Sequence, residues 1–251
     1  MKRSGNILIM LLLISAAAIS QPDWVRKAIT QADSFSVDQA SAEITLFKTK
    51  EVTLDNNGHT STDVRVVTKV LDPSEKAVGI VRELKTNTIS IRNLKGWHVS
   101  GGVVEVLSDV DVAEFSITDT KGYYDESHVM IAHFPVISSG DIVAYEYTIY
   151  DDDWTGFHQR YIFQTQEPVL YSRFSIEVPD QWTIHKSEWN LGEIIFEKID
   201  NRFIWTARNL PFRPEEPLMP PWSFLMRRVD VSAYNSVDKG TMNFSTWTKV
   251  A

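Results

Sequence analysis

The chain reads as an all-β protein: an antiparallel β-sandwich of about ten to twelve strands, with a short N-terminal helix and a Pro-rich C-terminal strap. Three observations predict this. From Ala42 onward, short runs rich in β-branched and aromatic residues recur with turn residues between them. Inside the runs, apolar and polar side chains alternate with the period of a half-buried strand. In DIVAYEYTIYD, for example, Val143, Tyr145, Tyr147 and Ile149 face one way while Ala144, Glu146 and Thr148 face the other. Helical periodicity is confined to one short segment near the N-terminus.

Residues 1–20 have the layout of a secretory signal peptide. Lys2 and Arg3 form a basic start, Ile7 to Ile14 is a continuous apolar run, and Ala18-Ile19-Ser20 places small residues before a cut at Gln21. The apolar stretch is shorter than the roughly 20 residues a membrane-spanning helix needs. No cysteine follows the cut to carry a lipid, so the expected location is periplasmic or extracellular, with no membrane anchor after cleavage. Residues 21–40 are the N-terminal helix and lead-in. There PDWVRKAITQA opens on Pro22, a residue suited to a helix N-terminus, and lines up Trp24, Ala28 and Ile29.

Residues 41–210 form the sandwich. AEITLFKTKEVTLD and STDVRVVTKVLD make a hairpin across Asn56-Asn57-Gly58-His59, and TISIRNLKGWHV turns into VVEVL at Gly101-Gly102. FSIEVP puts Phe174, Ile176 and Val178 on one face. WTIHKS, EIIFEKI and NRFIWTAR follow, with Trp205 alternating with Phe203 and Ala207 as a core residue. Residues 211–242 are the Pro-rich strap and connector. Five of the chain's 10 prolines fall between 211 and 221, which bars that segment from a central strand. The strap's apolar residues, Leu210, Phe212, Leu218, Met219 and Trp222, are expected to dock, since soluble proteins avoid free apolar patches. In residues 243–251, NFSTWTKVA starts a helix with Asn243 or Ser245 as its cap. One turn is too short to stand alone, so it reads as the truncated start of a following domain.

Composition narrows the function. The formal net charge is −8 and becomes −10 once Lys2 and Arg3 leave with the signal. No basic run longer than Arg227-Arg228 exists, so nucleic acid is excluded as a partner. The absence of cysteine rules out disulfides, and stability must come from core burial, which a chain of 251 residues permits.

Sites for chemistry are sparse. His59, His98, His128, His133, His158 and His185 show no compact metal spacing, and no cofactor is implied. Asp151-Asp152-Asp153 lacks the alternating spacing of a calcium loop and reads as a solvated turn ending a strand. Trp97, Trp154, Trp182, Trp189 and Trp222 could serve a carbohydrate-binding module, one alternative reading; Trp154, beside the Asp run, is the best exposed candidate. Glu146 and Glu177 would be the pair for a second alternative, a carboxylate-based hydrolase.

The segments SSGDIVAYEYTIYD, EPVLYSRFSIEVP and LPFRPEEPLMPPW, in that order, resemble a known family over roughly residues 40 to 247. It is the N-terminal β-rich domain of unknown function that precedes transglutaminase-like domains in secreted bacterial proteins. The resemblance implies that the catalytic Cys, His and Asp belong to a module following this one. A chain without cysteine cannot supply a thiol nucleophile. We therefore expect a non-catalytic exported module with a structural or interdomain role, no enzyme in itself. Its expected partners are a downstream transglutaminase-like domain and a cell-envelope peptide or glycan. The residues expected to contact a ligand or that domain are Trp154, Phe157, Phe212, Met219 and Trp222.

The signal reading has a direct test. Mass spectrometry of the mature protein from a Gram-negative host should find an N-terminus at Gln21, or at Ile19 if the cut follows Ala16-Ala17-Ala18. Soluble protein retaining Met1 would overturn it.

Overall fold

The computed structural model describes residues 21–32, 41–74, 79–116, 127–134, 137–153, 157–164 and 166–235. The structure is all-β, with fourteen strands among the described residues. They are β1 (Glu43–Leu54), β2 (Thr60–Val70), β3 (Ile80–Lys85), β4 (Ile89–Ser100), β5 (Val103–Val106), β6 (Val112–Ser116), β7 (His128–His133), β8 (Ile142–Asp151), β9 (Phe157–Gln164), β10 (Val169–Glu177), β11 (Trp182–Trp189), β12 (Ile195–Ile199), β13 (Arg202–Leu210) and β14 (Arg227–Asn235). Helix α1 (Asp23–Ala32) precedes them and a single turn, α2 (Trp222–Leu225), leads into β14. An eight-stranded sheet runs β12-β13-β10-β1-β2-β8-β4-β5. Two three-stranded sheets, β11-β14-β9 and β3-β7-β6, complete the fold.

The hairpins form where the turn chemistry allows. Between β1 and β2 the Asp55 carboxylate accepts the N–H groups of Asn57 (2.8 Å) and His59 (2.9 Å), and Gly58 takes φ 92°. Between β4 and β5, Gly101 and Gly102 both hold positive φ, as a tight two-residue hairpin loop requires. One pairing departs from the antiparallel expectation: β1 and β10 run parallel. The strand before β10 lies in a small sheet, so the chain crosses between layers before entering beside β1. Parallel neighbours need such a crossover rather than a tight turn.

One face of the large sheet carries the main cores. Cross-strand register sets Phe196, Trp205, Phe174, Lys50, Val64 and Tyr147 in one row, and Ala207, Ser172, Lys48, Val66, Tyr145 and Gly96 in the next. Over the β10–β13 side, Phe174, Ile176 and Trp205 pack against Tyr161 and Phe163 of β9 and Val229 and Val231 of β14. Over the β2–β8–β4 side, Val64, Val66 and Tyr147 pack against Val81, Ala132 and Phe134 under β3-β7-β6. Gly96 is needed there. A Cβ on it would lie 2.6 Å from the Phe134 ring. On the opposite face, Val25 and Ala28 of α1 cover Ile44, Leu46, Val67, Trp97 and Ala144. A bulge between Thr45 and Phe47 lets Ile44, Leu46 and Phe47 all join that helix contact. Beyond the helix this face is a charged lattice, with Glu146 between Arg65 (3.3 Å) and Lys95 (3.5 Å), and Glu51 between Arg173 (3.6 Å) and Arg202 (2.9 Å).

The sandwich extends further than the sequence reading placed it. Residues 227–235, expected to be connector, form β14, the central strand of its small sheet. Val229, Val231 and Ala233 alternate inward there, all buried. The expected signal peptide and the 243–251 helix start lie outside the described residues.

The start of β8 is locked to β4 by a buried polar pair. His98 Nε2 lies 2.8 Å from Asp141 Oδ2, and the same oxygen accepts the Ser138 N–H at 2.8 Å. Burial works against the Asp141 charge, but hydrogen bonds from Ser100, His98 and Ser138 outweigh it and hold the carboxyl below its ordinary range. A carboxyl depressed by folding contributes stability above its unfolded pKa, about 3.9, and loses it as pH falls through the folded value. Asp141→Asn should therefore cost about 1–3 kcal/mol at pH 7. In urea melts the deficit should shrink at pH 3; an equal deficit at both pH values would show that the charge is irrelevant.

Candidate functional site

Above β1 and β2, beside β9, lies a cleft of ≈ 290 Å³. Its floor is Glu43, Thr45 and Lys48 of β1, Val66 and Thr68 of β2, and Tyr145 of β8; its wall is Ile162, Phe163 and Gln164 of β9, with Glu167 and Val169. Lys48 and Lys50 occupy the positions where the inward alternation of β1 would otherwise bring apolar residues, since Val52 and Leu54 continue the same face as core. A bulge in β9 against Arg227 and Arg228 breaks its alternation. Phe163 and Gln164 are consecutive, and both are buried.

The electrostatics are those of charges held out of water. The Lys48 ammonium donates to the Ile162 carbonyl (3.1 Å) and lies 5.0 Å over the Tyr161 ring. Desolvation pushes its pKa down to about 8; the neighbouring Lys50 adds to this and Glu43 opposes it. Burial also lowers Lys50, against the attraction of Glu83. Glu43 is raised by burial and then by repulsion from Glu167, with Lys48 opposing. The Tyr145 and Tyr147 hydroxyls are raised, chiefly by desolvation and then by Glu83, to which the Tyr147 hydroxyl donates. Ser41 contacts the Glu167 carboxylate. The cleft thus offers one ammonium, two carboxylates, hydroxyls and an apolar wall. It can bind a polar ligand at both a donor and an acceptor end.

A second surface is the strap. Arg213 Nη1 donates to Leu225 O (2.6 Å) and its guanidinium lies 5.8 Å from the Trp222 ring; Asn190 donates to Phe224 O (2.7 Å) and Arg228 to Ser223 O (2.7 Å). At its tip, Pro217 and Leu218 occupy the corner of a turn closed by Met219 N–H on Glu216 O (3.2 Å). Leu218 has φ 68° and is fully exposed. That position in such a turn favours glycine.

The expected contact residues divide. Phe212, Met219 and Trp222 are half-buried on the strap. Phe157 is a correction: paired with Ala233 and 7 % exposed, it is a core residue, because inward alternation of β9 begins with it. Trp154 lies outside the described residues. Of the other tryptophans, Trp205 is fully buried as expected and Trp97 is buried against the helix, while Trp189 is exposed under Arg228 at 4.9 Å. Asp151 accepts the Asp153 N–H (3.0 Å), as in a turn. Glu43, Lys48, Lys50, Gln164 and Glu167 were not singled out from the sequence. The available signal was two lysines in phase with Val52 and Leu54.

Lys48 has a measurable cost. With its folded pKa below the unfolded value, the unfolded state holds the extra proton between about pH 8 and 10.4, so stability rises with pH across that window. Lys48→Met should raise stability at pH 7 by about 1–2 kcal/mol. In urea melts this gain should fall away towards pH 10. Destabilisation at pH 7 would show that the amine's contacts outweigh its desolvation.

Comparison with known proteins places the fold. The profile of a domain of unknown function with a solved structure, DUF3857, matches residues 56–213. No curated protein matches the chain. Among solved structures, that of a putative protease from Parabacteroides distasonis is similar, with TM-score 0.68 and 16% identity over 77% of this chain and 40% of that one. Yeast LTA4 hydrolase in complex with bestatin (TM-score 0.39, 12% identity, 86% of this chain and 33% of that one) is similar at a lower level. So is Legionella pneumophila aminopeptidase A (0.36, 7%, 80% and 22%). At these identities the likeness is one of fold alone, and the last two are too distant to carry argument. The chain spans about two-fifths of the length of the Parabacteroides protein. The matched profile covers more than half of the chain, which therefore belongs to the DUF3857 family.

Proposed function

We propose that this chain is a non-catalytic, exported accessory module that docks through its strap against a following catalytic domain of the transglutaminase-like cysteine type. The observation that carries this reading is Leu218. It is fully exposed and held at a positive φ that costs a branched side chain energy, in a turn where glycine would be free of both penalties. Phe224, 70% exposed, lies in the same segment; its backbone is held by the Arg213, Asn190 and Arg228 bonds, and that of Leu218 by the turn bond from Met219 N–H to Glu216 O. Apolar side chains fixed before contact lose little further freedom on binding. The likeness to a longer protein described as a protease supports an accessory role, since this fold covers only part of that chain. Geometry permits the contact: β14 runs from the strap at Arg227 to Asn235, roughly 27 Å, and a domain of about 100 residues is about 30 Å across.

The test uses the chain with and without the residues that follow Ala251, whose reading frame should encode a Cys with a spaced His and Asp. Leu218→Gly should leave the melting temperature of the 251-residue chain unchanged or higher, by about 0.5–1 kcal/mol of stability. In the longer chain it should uncouple the melting of the two parts. Acrylamide quenching of Trp222, isolated by comparison with Trp222→Phe, should fall when the following domain is present. Equal quenching in both chains would reject the interdomain contact.

A further inference from the structure

The cleft above β1 carries an inference independent of the strap. We propose that it binds the α-ammonium and adjoining carbonyl of an amino-terminal residue, the ammonium between Glu43 and Glu167 and the carbonyl at Lys48. Two carboxylates face one ammonium, so the cleft has a net charge of −1 and favours a single positive group. Glu43 and Glu167 repel each other across it, and a cation between them relieves that repulsion.

Gln164, on the cleft wall, is 2% exposed and its Oε1 has no hydrogen-bond partner. Its amide nitrogen donates both protons, to Glu167 O (3.1 Å) and Pro211 O (2.5 Å), which fixes which end of the amide is the oxygen. A buried acceptor left open costs energy that a donor from a ligand would recover. Gln164 and Glu167 therefore call for the same thing, an N–H-bearing group.

At ≈ 290 Å³ the cleft is far larger than an ion requires, and Val66, Ile162 and Phe163 give it an apolar side suited to an aliphatic side chain. A divalent cation fits less well, because the Lys48 ammonium shares the cleft and repels it. Lys48 spends one proton on Ile162 O, leaving two with which to meet a carbonyl oxygen. Donor at one end and acceptors at the other match the polarity of an amino-terminal residue.

Calorimetric titration of the full chain with Leu-Ala-Ala, its N-acetylated form, free L-leucine and calcium chloride tests the proposal. The free tripeptide should bind and acetylation should weaken it roughly tenfold or more, the scale of losing a charge-assisted hydrogen bond. Glu167→Gln should weaken it similarly, while Glu146→Gln, on the opposite face of the sheet, should leave it unchanged. Leucine binding as tightly as the tripeptide would assign the site to a free amino acid; much weaker binding would assign it to a peptide. Equal binding of the acetylated peptide, binding of calcium without the tripeptide, or no heat from either amine would each overturn the proposal. If Glu167→Gln fails to fold, the acetylated and free peptides on the unaltered chain still decide the matter.

Discussion

The arrangement follows from a mismatch of widths. Eight strands side by side, at about 4.8 Å each, make a face roughly 34 Å across, whereas three strands span roughly 10 Å between their outermost members. One small sheet cannot cover the large one; β11-β14-β9 packs over the β10–β13 side and β3-β7-β6 over the β2–β8–β4 side. The rows across the sheet run through Trp205 and Phe174 on one side and Val64 and Tyr147 on the other, and on β1 they pass through Lys48 and Lys50. The lysines take the central positions of the sheet, where Lys48 meets the Ile162 carbonyl and the Tyr161 ring of β9. Their stems can lie along apolar neighbours while their heads reach towards solvent or a partner, which a valine there could not do.

The cleft and the strap share a wall. Gln164 bonds the carbonyl of Pro211, at the start of the strap, and the Arg213 N–H donates to Gln166 O (2.9 Å). Arg213 then reaches α2 through Leu225 O. A short chain of hydrogen bonds therefore runs from the residue with the open acceptor to the turn that precedes β14. It means that the strap's anchor and the cleft's wall cannot be altered separately at Gln164.

The large sheet was legible in the sequence and the small ones were not. β1, β2, β4, β5, β8, β10, β12 and β13 all fall within runs that alternation and turn residues mark out; all but β12, whose five residues are exposed, pack at least part of one face against a core. β11 was read as well. The strands missed, β3, β6, β7, β9 and β14, belong to the covering sheets. β6 is the extreme case: VAEFS leaves Phe115 56% exposed, so its apolar residues mark no inward face. β14 was hidden by Arg227-Arg228 at its start and the prolines just before it, although Val229, Val231 and Ala233 alternate correctly. The cleft was illegible for a different reason. Its members come from β1, β2, β8, β9, β10 and the turn at Glu167; register brings Lys48 opposite Val66, and only the packing of β9 over β1 brings it under Ile162. A lysine in phase with core valines was the one local sign. By contrast, the strap's departure from sheet structure followed directly from its prolines.

A chain without disulfides must hold such a charged cleft open by packing elsewhere, and the packing is adjacent. Ring centroids run Phe196 to Trp205 (5.0 Å), Trp205 to Phe174 (5.6 Å), Phe174 to Tyr161 (4.9 Å) and Tyr161 to Phe163 (4.8 Å), a continuous aromatic column through the larger core. Pairs of this kind contribute about 0.5–1.5 kcal/mol each beyond the area they bury. The column ends at the cleft. Tyr161 lies beneath the Lys48 ammonium and its hydroxyl meets Ser172 Oγ at 2.9 Å, so its apolar ring serves the core while its face and its hydroxyl serve the polar side. A continuous aromatic column thus borders the part that packing leaves unfilled.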